Sequence, residues 1–130
     1  MENKKILIIE DEPTEVFALK KILDGAKYEI ITASDGEAGL KKIKEELPDL
    51  VLLDIRIPQI NGYDVLQFAK KEEKTKNIPI IMLTNIEDKE SVKRAKALGA
   101  SGYFIKAKTY PHDLIRTIDK QINEKNENRE

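Results

Sequence analysis

Six polar side chains in this 130-residue sequence directly follow short apolar runs, and their types suit chemistry on a phosphoryl group. Glu10, Asp11 and Glu12 come after Ile6-Leu7-Ile8-Ile9, and Asp54 after Leu50-Val51-Leu52-Leu53. Thr84 ends the run that begins at Ile78, and Lys106 follows Gly102-Tyr103-Phe104-Ile105. If the first and third runs are neighbouring strands, three or four carboxylates converge on one pocket, with a hydroxyl and an ammonium at its rim. Like charges that close oppose each other's ionisation, and a divalent cation relieves them. One or two carboxylates, a backbone carbonyl, waters and a phosphate oxygen describe octahedral Mg²⁺ better than a Ca²⁺ cage. A carboxylate beside such a metal can attack phosphorus while metal, ammonium and hydroxyl share the charge on the equatorial oxygens.

The elements that must position these groups alternate regularly. The apolar, β-branched runs 6–9, 28–32, 50–53, 78–83 and 102–105 read as strands. Three of them scarcely alternate, as expected of strands buried on both faces. Helical spacing follows each run: Val16, Leu19 and Leu23; Leu40, Ile43 and Leu47; then Leu114, Ile118 and Ile122. Segments 62–73 and 87–98 complete the set, the latter weakly amphipathic through Val92, Ala95 and Leu98. Pro13 and Pro111 suit first helical turns, Gly25 and Gly99 suit left-handed caps, and Pro48 stops the second helix. Five β-α pairs with short connections predict right-handed crossovers and an α/β doubly wound parallel sheet. In such a sheet ligands bind beyond the carboxyl ends of the strands, where the six residues lie. The last eight residues, from Asn123, are all polar and are expected to fray.

Composition narrows the function further. Lys and Arg number 23 against 24 Asp and Glu, a net charge of −1, so no excess positive charge favours nucleic acid. The absence of cysteine excludes disulfides, thiolate metal clusters and a cysteine nucleophile, and the single His112 excludes a His-only metal site. No apolar run approaches membrane-span length, which predicts a cytoplasmic protein with no membrane partner.

Four segments together carry a family resemblance. Ile8-Ile9-Glu10-Asp11-Glu12-Pro13, Leu52-Leu53-Asp54-Ile55-Arg56-Ile57-Pro58 with Asn61-Gly62, Met82-Leu83-Thr84, and Gly99-Ala100-Ser101-Gly102-Tyr103-Phe104-Ile105-Lys106 stand in order at strand ends. The sequence resembles the receiver domain of bacterial two-component response regulators over about residues 4–124. The resemblance implies a receiver domain over 1–124 with a polar tail over 125–130, and a (βα)5 sandwich with strand order 2-1-3-4-5. It makes Asp54 the phospho-acceptor, Asp11 a direct Mg²⁺ ligand, Glu10 a ligand through water and Arg56 a ligand through its carbonyl. Thr84 and Lys106 then bind the phosphoryl group, and Thr84 with Tyr103 form the switch. The implied donor is a histidine kinase or histidine phosphotransfer protein. The implied output is a partner or a self-dimer through the fourth helix, fifth strand and fifth helix.

Two positions depart from the family pattern. Ala107 stands where proline is usual after the lysine, and Asn85 where a smaller residue is usual after the threonine. A trans Lys106–Ala107 peptide would alter the loop path and the reach of Lys106. These departures keep open a degenerate receiver, a scaffold or phosphate sink without a switch. An aspartyl-phosphate phosphohydrolase needs a second acid two residues after the nucleophile, and Arg56 stands there. A flavin-binding domain needs a phosphate loop after the first strand, which Glu10, Asp11 and Glu12 would repel.

Overall fold

The computed structural model describes residues 3–24 and 28–128, with side chains to residue 124. Five strands, β1 (Lys4–Ile9), β2 (Tyr28–Ala33), β3 (Leu50–Leu53), β4 (Ile80–Thr84) and β5 (Gly102–Ile105), form one sheet in the order 2-1-3-4-5. All four pairings are parallel. The helices are α1 (Pro13–Asp24), α2 (Gly36–Glu46), α3 (Gly62–Lys71), α4 (Lys89–Ala97) and α5 (Pro111–Asn128), with a 3₁₀ turn at Lys106–Lys108. Among the described residues no helix is long and apolar enough to cross a membrane.

Strand side chains alternate between the faces, so the nearly unbroken apolar runs feed two cores. Ile6, Ile8, Leu50, Leu52, Ile81 and Leu83 meet Leu19 and Leu23 of α1 and Leu114, Ile118 and Ile122 of α5. Leu7, Ile9, Val51, Leu53, Ile80 and Met82 meet Ile43 of α2, Val65, Leu66 and Ala69 of α3, and Ala95 of α4. Ala95 is the one buried residue of α4, whose apolar face is as sparse as its sequence.

Three expectations need correction. The stripe Leu40, Ile43 and Leu47 is not the buried face of α2, because Leu47 is 48 % exposed. The residue before a proline is pushed out of the helical region, and Leu47 ends α2 as a left-handed cap at φ 45°. Gly36, Gly39 and Ile43 are buried instead, and Ile9 occupies the space a Cβ on residue 39 would need. The polar segment from Asn123 does not fray at once; it holds no glycine or proline, and α5 continues to Asn128. The fourth strand starts at Ile80 and includes Thr84, with Ile78 and Pro79 leading in. Pro13 and Pro111 open α1 and α5, and Gly99 has φ 104° after α4, as expected. The cap at Gly25 lies outside the described residues.

Register brings the strand ends level. Ile9 pairs with Leu53, so the next residues, Glu10 and Asp54, sit side by side. Leu53 pairs with Met82, and Thr84 with Ile105, which places Thr84 and Lys106 beyond the same edge. Gly62 closes the other side: a Cβ there would lie 2.3 Å from the carbonyl oxygen of Asp54 and 2.7 Å from the Ile55 Cα. Both obstacles are backbone and cannot swing away. Gly62→Ala is therefore expected to lower stability by about 1–3 kcal/mol, the usual cost of overpacking. Gly102→Ala meets only the Ile81 side chain, at 3.4 Å, and should be nearly neutral. Urea denaturation of both variants checks the contrast, and equal midpoints would refute it.

Candidate functional site

Each strand end delivers its side chain for a local backbone reason. The Glu10 N–H donates to Ala33 O at 3.0 Å and the Asp54 N–H to Ile9 O at 3.1 Å, continuing the ladders one residue past β1 and β3. Both carboxylates are thereby held nearly out of solvent, Glu10 at 3 % and Asp54 at 8 % exposure. Asp54 Oδ1 accepts the Ile55 N–H at 2.7 Å, and Glu10 Oε2 accepts the Glu12 N–H at 3.1 Å. Thr84, 1 % exposed, accepts a long hydrogen bond from the Ile86 N–H at 3.4 Å.

Lys106 joins the cluster. Its Nζ donates to Asp54 Oδ2 at 2.9 Å, to Glu15 Oε2 at 2.7 Å and to Glu10 Oε1. Burial works against the charge on Lys106, but hydrogen bonds to the three carboxylates outweigh it and hold the pKa above the ordinary lysine value. Burial also pushes the Glu10 carboxyl up, to about 7, against the pull of Lys106 and the Glu12 N–H. Among the described residues every buried side-chain nitrogen and oxygen has a partner.

The expected residues do share one place. Glu10, Asp11, Asp54, Arg56, Thr84 and Lys106 line a single open pocket of about 290 Å³. Glu10 and Asp54 lie at its floor, whereas Asp11 is half-buried and Arg56 exposed at its rim. Tyr103 is outside it, half-buried against the core of the α2–α4 face, with its hydroxyl donating to Ile86 O at 2.6 Å. Burial first, then the charges of nearby groups, raises its pKa to about 12.

The carboxylates whose oxygens gather within 4.8 Å are those of Glu10, Glu15 and Asp54. The sequence reading passed over Glu15. It lies in the first turn of α1, four residues before buried Leu19, and so shares that residue's inward face. Extending the apolar stripe back by one turn would have found it.

The two departures from the family pattern touch each other. No peptide among the described residues is cis, and Ala107 enters a 3₁₀ turn. Its N–H donates to Asn85 Oδ1 at 3.0 Å, which ties the loop after β5 to the loop after β4. Lys106 reaches Asp54 along this path all the same.

The raised pKa of Glu10 has a pH consequence. The folded state holds the Glu10 proton more tightly than the unfolded chain, whose carboxyl titrates near 4.5. Between those pKa values the folded form binds more protons, so stability falls as pH rises from about 4.5 toward 7. Glu10→Gln should flatten this slope. Denaturation of both proteins from pH 5 to 7.5, without divalent cations, tests it, and parallel curves would contradict the assignment.

Comparisons with known proteins agree with this geometry. The family model "Response regulator receiver domain" matches residues 6–119. Alkaline phosphatase synthesis transcriptional regulatory protein PhoP of Bacillus subtilis is 38 % identical over 104 residues, 80 % of this chain and 42 % of that protein. Protein PilH of Pseudomonas aeruginosa is 32 % identical over 115 residues, 88 % of this chain and 94 % of its own length. Apart from PilH, the chain spans about half the length of these curated relatives. The crystal structure of a CheY-like response regulator receiver domain protein from Methanospirillum hungatei superposes with TM-score 0.89 at 30 % identity, covering 98 % of this chain and 99 % of that one. The acidic pocket at the sheet's carboxyl edge, the strand order and the family match over residues 6–119 agree, and the chain belongs to the response regulator receiver domains of two-component signalling.

Proposed function

We propose that this receiver takes a phosphoryl group on Asp54 and that the phosphorylated state changes a protein-binding surface. The observation that carries the reading is the pairing of Asp54 Oδ2 with Lys106 at 2.9 Å inside a pocket that also holds Glu10, Asp11 and Thr84. A buried carboxylate facing an ammonium and a hydroxyl has a place for each new phosphoryl oxygen. In the transfer, an Asp54 oxygen forms a bond to phosphorus as the P–N bond to a donor histidine breaks and the imidazole leaves with the electron pair. Later attack by water on phosphorus releases inorganic phosphate and restores the carboxylate.

The hard oxygen donors fit a magnesium ion. Asp11, Asp54 and the Arg56 carbonyl would hold it directly and Glu10 through water. When bound, the ion supplies positive charge beside the transferring group. Lys106 pairs with the phosphoryl oxygens and Thr84 donates its hydroxyl to them. The donor is a histidine kinase or a histidine phosphotransfer protein, met in the cytoplasm. With a net charge of −1 the domain needs no nucleic-acid contact of its own.

The path to the surface runs through one peptide. Thr84 Oγ holds the Ile86 N–H at 3.4 Å, and the Tyr103 hydroxyl holds the Ile86 carbonyl at 2.6 Å. Drawing Thr84 toward a phosphoryl group loosens the first bond and shifts the partner of Tyr103. Packed interiors respond to small shifts by choosing between discrete arrangements. The affected face is α4, β5 and α5, where α4 is held by few apolar contacts and moves most easily. Its occupant is a second protein or a second copy of this chain.

Two experiments test the reading. With acetyl phosphate and Mg²⁺, intact mass should show one added phosphoryl group on the wild type. Asp54→Ala should show none, and Asp11→Asn or removal of Mg²⁺ should slow the gain strongly. Equal labelling of Asp54→Ala would refute the acceptor. Hydrogen exchange of beryllofluoride-bound and free protein should then change mainly over residues 84–110, and Thr84→Ala should lose most of that change while still accepting phosphate. Changes confined to the surroundings of Asp11 and Asp54 would make the domain a phosphate sink rather than a switch.

A further inference from the structure

A lysine ammonium has three N–H donors, and in Lys106 all three are taken. Glu10, Glu15 and Asp54 accept one each. Phosphorylation frees the donor that Asp54 held, so the phosphoryl group gains a second hydrogen bond from Lys106 only if Glu10 or Glu15 lets go. Glu10 is the least free to do so, since its side chain is 2 % exposed and its other oxygen accepts the Glu12 N–H. Glu15 is the most free. It stands on α1 rather than at a strand end, and its side chain is 36 % exposed, so it can turn into water at small cost.

We propose that Glu15 is a competitor, an internal anion that occupies Lys106 in the resting domain and is displaced when the phosphoryl group takes a second hydrogen bond from Lys106. The inference rests on Asp54 being the acceptor. Glu15 sets how tightly the pocket holds a phosphoryl group by two routes. It holds a donor that the phosphoryl oxygens would otherwise take, and it leaves a negative charge beside them when displaced. Its place in the first turn of α1 also suits the helix dipole, but that role acts on folding stability and leaves ligand affinity alone. The gathering of its oxygen with those of Glu10 and Asp54 within 4.8 Å raises the rival role of a metal ligand, which the test separates.

The probe is beryllofluoride, a stable mimic of the phosphoryl group, titrated into the full chain with saturating Mg²⁺ and followed by fluorine NMR. Glu15→Gln keeps the shape and removes the charge. It should bind beryllofluoride roughly two- to five-fold more tightly than wild type, the range spanned by an ion pair with one partly exposed partner. Its affinity for Mg²⁺ alone should stay close to wild type. Glu12→Gln removes the same charge from the residue before α1, whose carboxylate makes no ion pair with Lys106, and should shift the affinity much less. Unchanged or weaker beryllofluoride binding by Glu15→Gln would overturn the proposal, as would an equal gain in Glu12→Gln. A loss of Mg²⁺ affinity as large as that of Asp11→Asn would overturn it too, making Glu15 a ligand. Failure of the wild type to bind beryllofluoride or take up phosphate would instead remove the acceptor reading, and the competitor with it.

Discussion

Carboxylates gathered at the end of a hydrophobic sheet repel one another and lose water, and the ammonium of Lys106 offsets part of both costs. Removing one partner of a buried pair leaves an uncompensated charge, which costs far more than the pair itself contributes. Lys106 therefore acts on three elements at once: β1 through Glu10, α1 through Glu15 and β3 through Asp54. It starts from the edge strand β5 and reaches past β4, so the order of the strands and the level of their ends both matter to this contact. A receiver with these carboxylates and no cation at this point would have to admit water or protonate an acid.

The same constraint explains why so much of the site is backbone. Glu10 and Asp54 are aimed by ladder hydrogen bonds to Ala33 and Ile9, and each carboxylate is fixed again by a neighbouring N–H. Gly62 lets α3 approach within van der Waals distance of the Asp54 peptide, and its own N–H donates to Ile55 O at 2.8 Å. A side chain can change rotamer, but these contacts cannot. Beyond these contacts, the hydroxyls of Thr84 in β4 and Tyr103 in β5 both bond the backbone of Ile86, in the loop after β4.

The sequence displayed most of this because both signals it depends on are local. Unalternating runs such as Leu50-Val51-Leu52-Leu53 state that a strand is covered on both faces, and the residue after each run lies at the binding edge of a parallel sheet. Helix faces were less legible. Leu40, Ile43 and Leu47 have the spacing of a buried stripe, yet Pro48 bars Leu47 from the helix and Leu47 ends α2 in the left-handed region, and two glycines supply the close packing instead. Hydrophobic periodicity does not register a glycine as a core residue. It puts Glu15 on the inward face of α1, one turn before Leu19, but says nothing of its partner, a lysine 91 positions away. Contacts of that kind follow from topology and register together, neither of which a window of sequence contains.

Asn85 and Ala107 show how two irregularities can be one feature. Taken singly, each disturbs the family's pattern: a larger side chain beside Thr84, and a residue after Lys106 that lacks the ring of proline. Proline has no N–H, so a chain with proline at 107 could not make the bond seen here. Ala107 has one, and Asn85 Oδ1 accepts it at 3.0 Å. Both residues are exposed, so water competes and the net gain is modest, about 0.5–1.5 kcal/mol at most. Its importance is positional. The bond joins the residue after Thr84 to the residue after Lys106, two groups that line the pocket. A trans path for the loop thus comes with its own tether, and the reach of Lys106 to Asp54 survives the change of residue.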